Sequence, residues 1–156
     1  MRYSIVLIFF GLLIVLVTTA CNVSKTICPC EAPEVIRLSD KEIEIKAQIS
    51  LIDSTTSGKM KVLIWLTTTD HTSLPTNFKA DYYYLRSSNL TRDAFEGKFT
   101  RINTDYAKGI MELEATNAPL WEQGELADIA VHLVDNRGKV HFLKKGDTPI
   151  QPANHK

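Results

Sequence analysis

The sequence predicts an all-β fold, a single antiparallel β-sandwich, and three observations carry that prediction. From Glu42 to Leu51 apolar and polar side chains alternate without a break, which is the period of a strand with one buried face. Two apolar runs flank Asp135-Asn136-Arg137-Gly138, and aspartate first with glycine fourth suits the type I turn of a hairpin. Between residues 33 and 156 no apolar period of 3.6 arises, so helices are not expected there.

Taken in order, the chain begins with a basic Arg2, an apolar run from Ile5 to Val17, and small residues up to Ala20. This pattern is a secretory signal peptide, residues 1–20, and it is short for a membrane span. Val17-Thr18-Thr19-Ala20-Cys21 resembles the lipobox of bacterial lipoproteins, with Thr18 where leucine is usual. The resemblance implies that Cys21 becomes the first mature residue and is lipid-modified, carrying diacylglycerol and an acyl chain such as palmitate. Asn22, which is not the aspartate that favours inner-membrane retention, implies an outer-membrane destination where the cell has two membranes. The same small residues also satisfy ordinary signal peptidase, so a secreted product is the alternative.

Residues 21–32 contain Pro29 and no apolar period, and they read as a tether that spans at most about 40 Å. The domain is expected over residues 33–156. Its strands follow from local pattern. Glu42–Leu51 places Ile43, Ile45, Ala47, Ile49 and Leu51 on one face. Met60–Thr69 is rich in β-branched and aromatic residues and is expected to be more deeply buried. Phe78–Arg86 puts Tyr82 and Tyr84 on one face and Tyr83 with Leu85 on the other. Phe95–Phe99 is a short strand around Gly97, Ile110–Ala115 alternates again, and Trp121 falls in a loop. In the terminal hairpin, with arms Leu126–Val134 and Lys139–Lys144, opposing Val134 to Lys139 sets Leu133 against Val140 and Val131 against Phe142, a register that matches apolar with apolar.

About seven short strands separated by turn signals argue a sandwich of immunoglobulin or fibronectin type. Trp121-Glu122-Gln123-Gly124-Glu125-Leu126 resembles the glycine-containing loop before the sixth strand of such domains, although Ala127 and Asp128 stand where a tyrosine corner would place its tyrosine.

Charge excludes one class of partner. The chain has 18 Lys and Arg against 18 Asp and Glu. Removal of residues 1–20 takes only Arg2, leaving 17 against 18 and a net charge of -1, so nucleic-acid binding has no electrostatic basis. Asn22-Val23-Ser24 and Asn89-Leu90-Thr91 are formal glycosylation triplets, relevant only in a eukaryotic cell.

Three constellations are candidates for chemistry. Cys28-Pro29-Cys30 could clamp a soft metal such as copper(I), or zinc, between two thiolates, but it lacks C-x-x-C spacing, and outside the cytoplasm the thiols could simply pair. In the apolar-matched register His132 and His141 face each other at a Cβ separation of roughly 5 Å, close enough to share an ion, with His71 a third ligand only if the fold brings it near. As two outward histidines they would be bland. Tyr82 and Tyr84, taken with the aromatic residues Trp65, Tyr83 and Trp121, could form a carbohydrate platform, since flat rings stack on sugar faces; strand aromatics more often fill cores. No nucleophile elbow, zincin helix or phosphate loop is present, and Glu42, Glu44, Glu112 and Glu114 occupy polar positions of alternating strands. The expectation is therefore a non-enzyme without cofactors: an envelope lipoprotein whose domain binds or scaffolds, with a membrane contact through its anchor and a protein or glycan partner. Soft-metal handling and carbohydrate binding are the alternatives.

Overall fold

The structure, a computed structural model, describes residues 31–52, 58–89 and 93–153. All its extended elements belong to one sheet. They are β1 (Val35–Leu38), β2 (Lys41–Leu51), β3 (Lys59–Thr68), β4 (Phe78–Ser87), β5 (Phe95–Lys98), β6 (Arg101–Asp105), β7 (Ile110–Pro119), β8 (Leu126–Asp135) and β9 (Val140–Gln151). The order is β5-β4-β8-β9-β2-β3-β7-β6, with β1 added to β2. All-β is thus the fold class, and the sheet curls into a half-barrel.

Every strand pairing is antiparallel except one. β9 pairs β8 through most of its length, then meets β2 in parallel at Ile49–Ile150 and Ser50–Gln151. That junction makes β9 the seam between the two halves of the curl. The concave side holds the core: Ile43, Ile45 and Ile49 from β2, Met60, Val62, Ile64 and Leu66 from β3, Tyr83 and Leu85 from β4, and Ile129, Val131 and Leu133 from β8 are all buried. Because strand side chains alternate, that concave set fixes which residues face outward. β3 is not buried on both faces; Leu63 and Trp65 lie on its half-exposed outer side.

Three strands carry an extra residue that reverses the alternation. On β4, Ala80 opposes Leu133 while Tyr82 opposes His132, so Asp81 is the bulged residue. Phe78 and Ala80 are buried before it and Tyr83, Leu85 and Ser87 after it, a change of parity that only an inserted residue allows. β7 does the same between Ala115 and Ala118, and β9 between Lys145 and Thr148.

The terminal hairpin differs from the expected register by one residue. Val134 opposes Val140, Leu133 opposes His141, His132 opposes Phe142, and Val131 opposes Leu143. The cause is in the loop. Asp135 N–H donates to Lys139 O at 3.0 Å, Gly138 N–H donates to Asp135 O at 3.0 Å, and Gly138 has φ 76°. This is a three-residue connection, a type I turn closed by a glycine bulge, where the apolar-matched register required four. Asp135 Oδ1 also accepts from the N–H groups of Arg137 and Lys139, so the aspartate fixes the tighter loop.

β1 and β6 were not expected, and β9 runs to Gln151 where the hairpin arm was expected to stop at Lys144. Trp121, expected in a loop, follows β7 and is buried in the core.

Candidate functional site

The outer face of β4, β8 and β9 is built in rows of facing residues. One row runs Lys98, Tyr82, His132, Phe142; the next runs Glu96, Tyr84, Ala130, Lys144. Toward the hairpin turn lie Lys79, Val134 and Val140. Four rings therefore cluster outside the core. Tyr82 stacks on His132 with centroids 4.1 Å apart and planes 13° apart, and it meets Tyr84 edge-on at 5.5 Å. Phe142 lies 5.2 Å from His132 and 6.0 Å from Tyr84. Beneath them Ala130 is only 4% exposed and His132 7%, while Tyr82, Tyr84 and Phe142 remain half-buried.

The bulge on β4 supplies the polar group that fixes this cluster. Asp81 Oδ1 accepts from His132 Nδ1 at 2.5 Å and from the Tyr82 backbone N–H at 2.9 Å. A carboxylate on Nδ1 sets the imidazole tautomer and orientation, leaving Nε2 as the other ring nitrogen. Alternation continued from Phe78 and Ala80 would have turned Tyr82 inward and Tyr83 outward; the extra residue at Asp81 returns Tyr82 and Tyr84 to the outer face and Tyr83 to the core. The bulge therefore serves both sides of the sheet.

Electrostatics at the lower edge are also organised. Lost hydration pushes the Tyr84 phenol up in pKa, and hydrogen bonds to Tyr82 and Glu96 push it further, so it is a neutral hydroxyl. One turn of pleat further, Asp128, with its side chain 12% exposed, pairs with Lys144 at 3.1 Å and Arg86 at 3.4 Å and accepts from Ser88 Oγ and Asp147 N–H. Burial raises the Asp128 pKa, but the Asp147 amide, Lys144 and Ser88 outweigh it and the net shift is downward. This cluster holds the β9 bulge to β8.

Of the residues singled out in the sequence, Tyr82 and Tyr84 do share the outer face. His132 and His141 do not form a pair. The one-residue shift puts them on opposite faces of the hairpin, with His141 across from buried Leu133 and its Nε2 3.3 Å from Asp135 Oδ2. His132 is buried among rings instead of facing water. His71 sits in an exposed turn after β3 with φ 56°. Among the described residues no group of three His, Cys, Asp or Glu side chains could hold a metal ion. Cys21, Cys28 and Cys30 lie outside the described residues.

Tyr83 and Trp121 fill the core, and Trp65 donates to Glu112 at 3.1 Å on the outer face of β3 and β7. The acidic residues there are tied into the same surface, Glu44 accepting from Thr67 and Glu114 pairing with Lys61. Asn89 accepts from Ser87, and the rest of its glycosylation triplet lies outside the described residues. Phe142 and Asp81 belong to the aromatic cluster without having been foreseen. The apolar-matched register had turned Phe142 inward, and a bulge has no signature in the residues around Asp81.

No family model matches the sequence, and no curated protein matches it. Among solved structures, the fold is similar to a crystal structure of a protein assigned as ApaA from Bordetella pertussis, at 8% identity and a TM-score of 0.47, covering 79% of this chain and 99% of that one. Among the described residues no helix is long and apolar enough to cross a membrane.

Proposed function

We propose that this chain is a lipid-anchored envelope protein whose β-domain is a non-catalytic binding module, with the outer face of β4, β8 and β9 as its contact surface. The observation that carries the binding role is the ring cluster of Tyr82, Tyr84, His132 and Phe142, held outside the core by the Asp81 bulge. Rigid aromatic groups lose little conformational entropy on contact, which is what a recognition surface needs. The anchor rests on Val17 to Cys21.

An immunoglobulin-like sandwich is the finer description of the curl. Strands β2-β3-β7-β6 follow the A-B-E-D order of such domains, and β5-β4-β8-β9 follow the C′-C-F-G order. The Tyr83 hydroxyl of β4 donates to Asn117 Oδ1 of β7 at 3.0 Å, a contact between the two halves that supports two packed layers.

The test is made in the cell that produces the protein. Mass spectrometry of the mature N-terminus is expected to find Cys21 bearing acyl chains, and Cys21→Ser is expected to release the chain from the membrane fraction. A photoreactive side chain at position 84 is expected to give adducts with an envelope component, while one at position 65 gives none. Recovery of a diffusible, unacylated chain, or one with residues 1–20 still attached, would overturn the anchor. Equal labelling at both positions would overturn the contact surface.

A further inference from the structure

We propose that the β4–β8–β9 face binds a neutral oligosaccharide, with Tyr82 and Tyr84 against the apolar faces of its rings and Glu96, Asp81 and Lys98 bonding its hydroxyls. The inference rests on the reading of this face as the contact surface and names what it contacts. A sugar ring has one chemistry on its flat faces, C–H groups that pack on aromatic rings, and another on its rim, hydroxyls that both donate and accept. The face offers both. Tyr82 and Tyr84 are half-buried on the outer face, and Val140, 46% exposed, prolongs the apolar strip toward the turn.

Neutrality follows from the charges around the rings. Lys79 and Lys98 balance Asp81 and Glu96 along β4 and β5, and Asp128 holds both Lys144 and Arg86, so an anionic or cationic ligand gains little net attraction. A ligand with hydroxyls can use both signs. The hydroxyls of Tyr82 and Tyr84 and the Glu96 carboxylate are already linked, and Glu96 is exposed with acceptor capacity left for a diol. Three strand spacings separate β5 from β9, about 14 Å, which gives room for a short oligosaccharide and not merely one sugar. The site is also pre-formed, because Asp81 locks His132 and His132 stacks on Tyr82, so little ordering is left to pay on binding.

The experiment is calorimetric titration of the detergent-solubilised full chain with the tetramers of N-acetylglucosamine, cellulose and maltose. At least one is expected to bind. Tyr84→Ala is expected to weaken it about tenfold, and Glu96→Ala, at an exposed position that leaves the fold intact, several-fold; Trp65→Ala on the other half of the sheet should leave affinity unchanged. Unaltered melting of Glu96→Ala separates lost binding from lost folding. No heat with any of the three up to about 10 mM, or binding indifferent to both Tyr84→Ala and Glu96→Ala, would overturn the proposal. If the sugars fail while position 84 crosslinks a protein, the ligand class is wrong and the contact surface stands. If position 84 also gives no specific adduct, both readings fall.

Discussion

Replacing Gly97 by alanine tests the packing of the core under the candidate face, because two general expectations have opposite signs. In a strand, alanine normally gains about 0.5–1 kcal/mol over glycine through backbone entropy. Here an ideal Cβ at position 97 would stand 2.6 Å from Cζ of Tyr83 and 2.7 Å from its Cε1 and Oη. The ring has nowhere to go. Tyr83 is fully buried, Phe95 and Phe99 flank it at 6.2 and 5.4 Å, and its hydroxyl donates to Asn117 Oδ1 at 3.0 Å on the β7 bulge. Overpacking costs about 1–3 kcal/mol, and loss of the hydroxyl bond adds about 1 kcal/mol. The net expectation, after the entropy gain, is destabilisation of about 2 kcal/mol, a fall of about 8 °C in melting temperature. Urea unfolding of Gly97→Ala, Tyr83→Leu and the double variant measures it. In the Tyr83→Leu background the shorter side chain leaves the Cβ space, and Gly97→Ala should become neutral or stabilising. Stabilisation by Gly97→Ala in the native background would refute the reasoning.

Other outcomes follow from the turns and buried charges. Gly138→Ala should cost about 1 kcal/mol, because φ 76° is left-handed, and Gly138→Asn should cost less; chemical denaturation distinguishes them. Gly109→Ala should cost more than Gly138→Ala, since its Cβ would fall 1.9 Å from the Thr72 carbonyl oxygen in addition to φ 67°, whereas Gly138 has open space. Asp128 has a pKa lowered in the folded chain, so its contribution is present above the unfolded value near 4 and is lost as pH falls through the folded one. Asp128→Asn should therefore destabilise by about 2 kcal/mol at neutral pH, with the gap to the native chain narrowing below about pH 4, as read by melting curves across pH. Burial raises the Tyr83 pKa, and burial with Tyr82 and Glu96 raises that of Tyr84. At about pH 11, where an ordinary phenol is ionised, the Tyr83→Phe, Tyr84→Phe double variant should show the same phenolate absorbance as the native chain while both remain folded.

Strands with strict alternation were legible in the sequence, and those with a bulge were legible only in part. β2 pairs β3 without a bulge, and its inner face could be read directly from Ile43, Ile45 and Ile49. β9 changes parity at Gly146 and Asp147, so Leu143 and Ile150 are out of phase and the alternation that marks the strand stops at Lys144. β4 escaped the same fate because its second half, with Tyr82 and Tyr84 against Tyr83 and Leu85, alternates within itself whatever precedes it. β6, Arg-Ile-Asn-Thr-Asp, lies at an edge with most of its side chains in water, and an edge strand of that kind carries almost no apolar signal. The hairpin register failed for a different reason. Hydrophobic matching favoured a four-residue loop, yet the preference of Gly138 for left-handed backbone and two N–H bonds to Asp135 decided on three. Tyr82 and Tyr84 were visible as a pair and His132 was already outward on β8, whereas Phe142 joins them only when the loop is the tighter one.

The parallel seam between β2 and β9 gives the domain a mechanical character. A pull that draws the start of β2 away from the end of β9 acts along these strands, so the bonds around Ile49–Ile150 and Ser50–Gln151 are sheared at once and do not open in succession. The leading segment adds a further fastening, since Lys144 N–H donates to the Pro33 carbonyl at 2.9 Å. Tension entering from that end meets β9 before it reaches the body of the sheet.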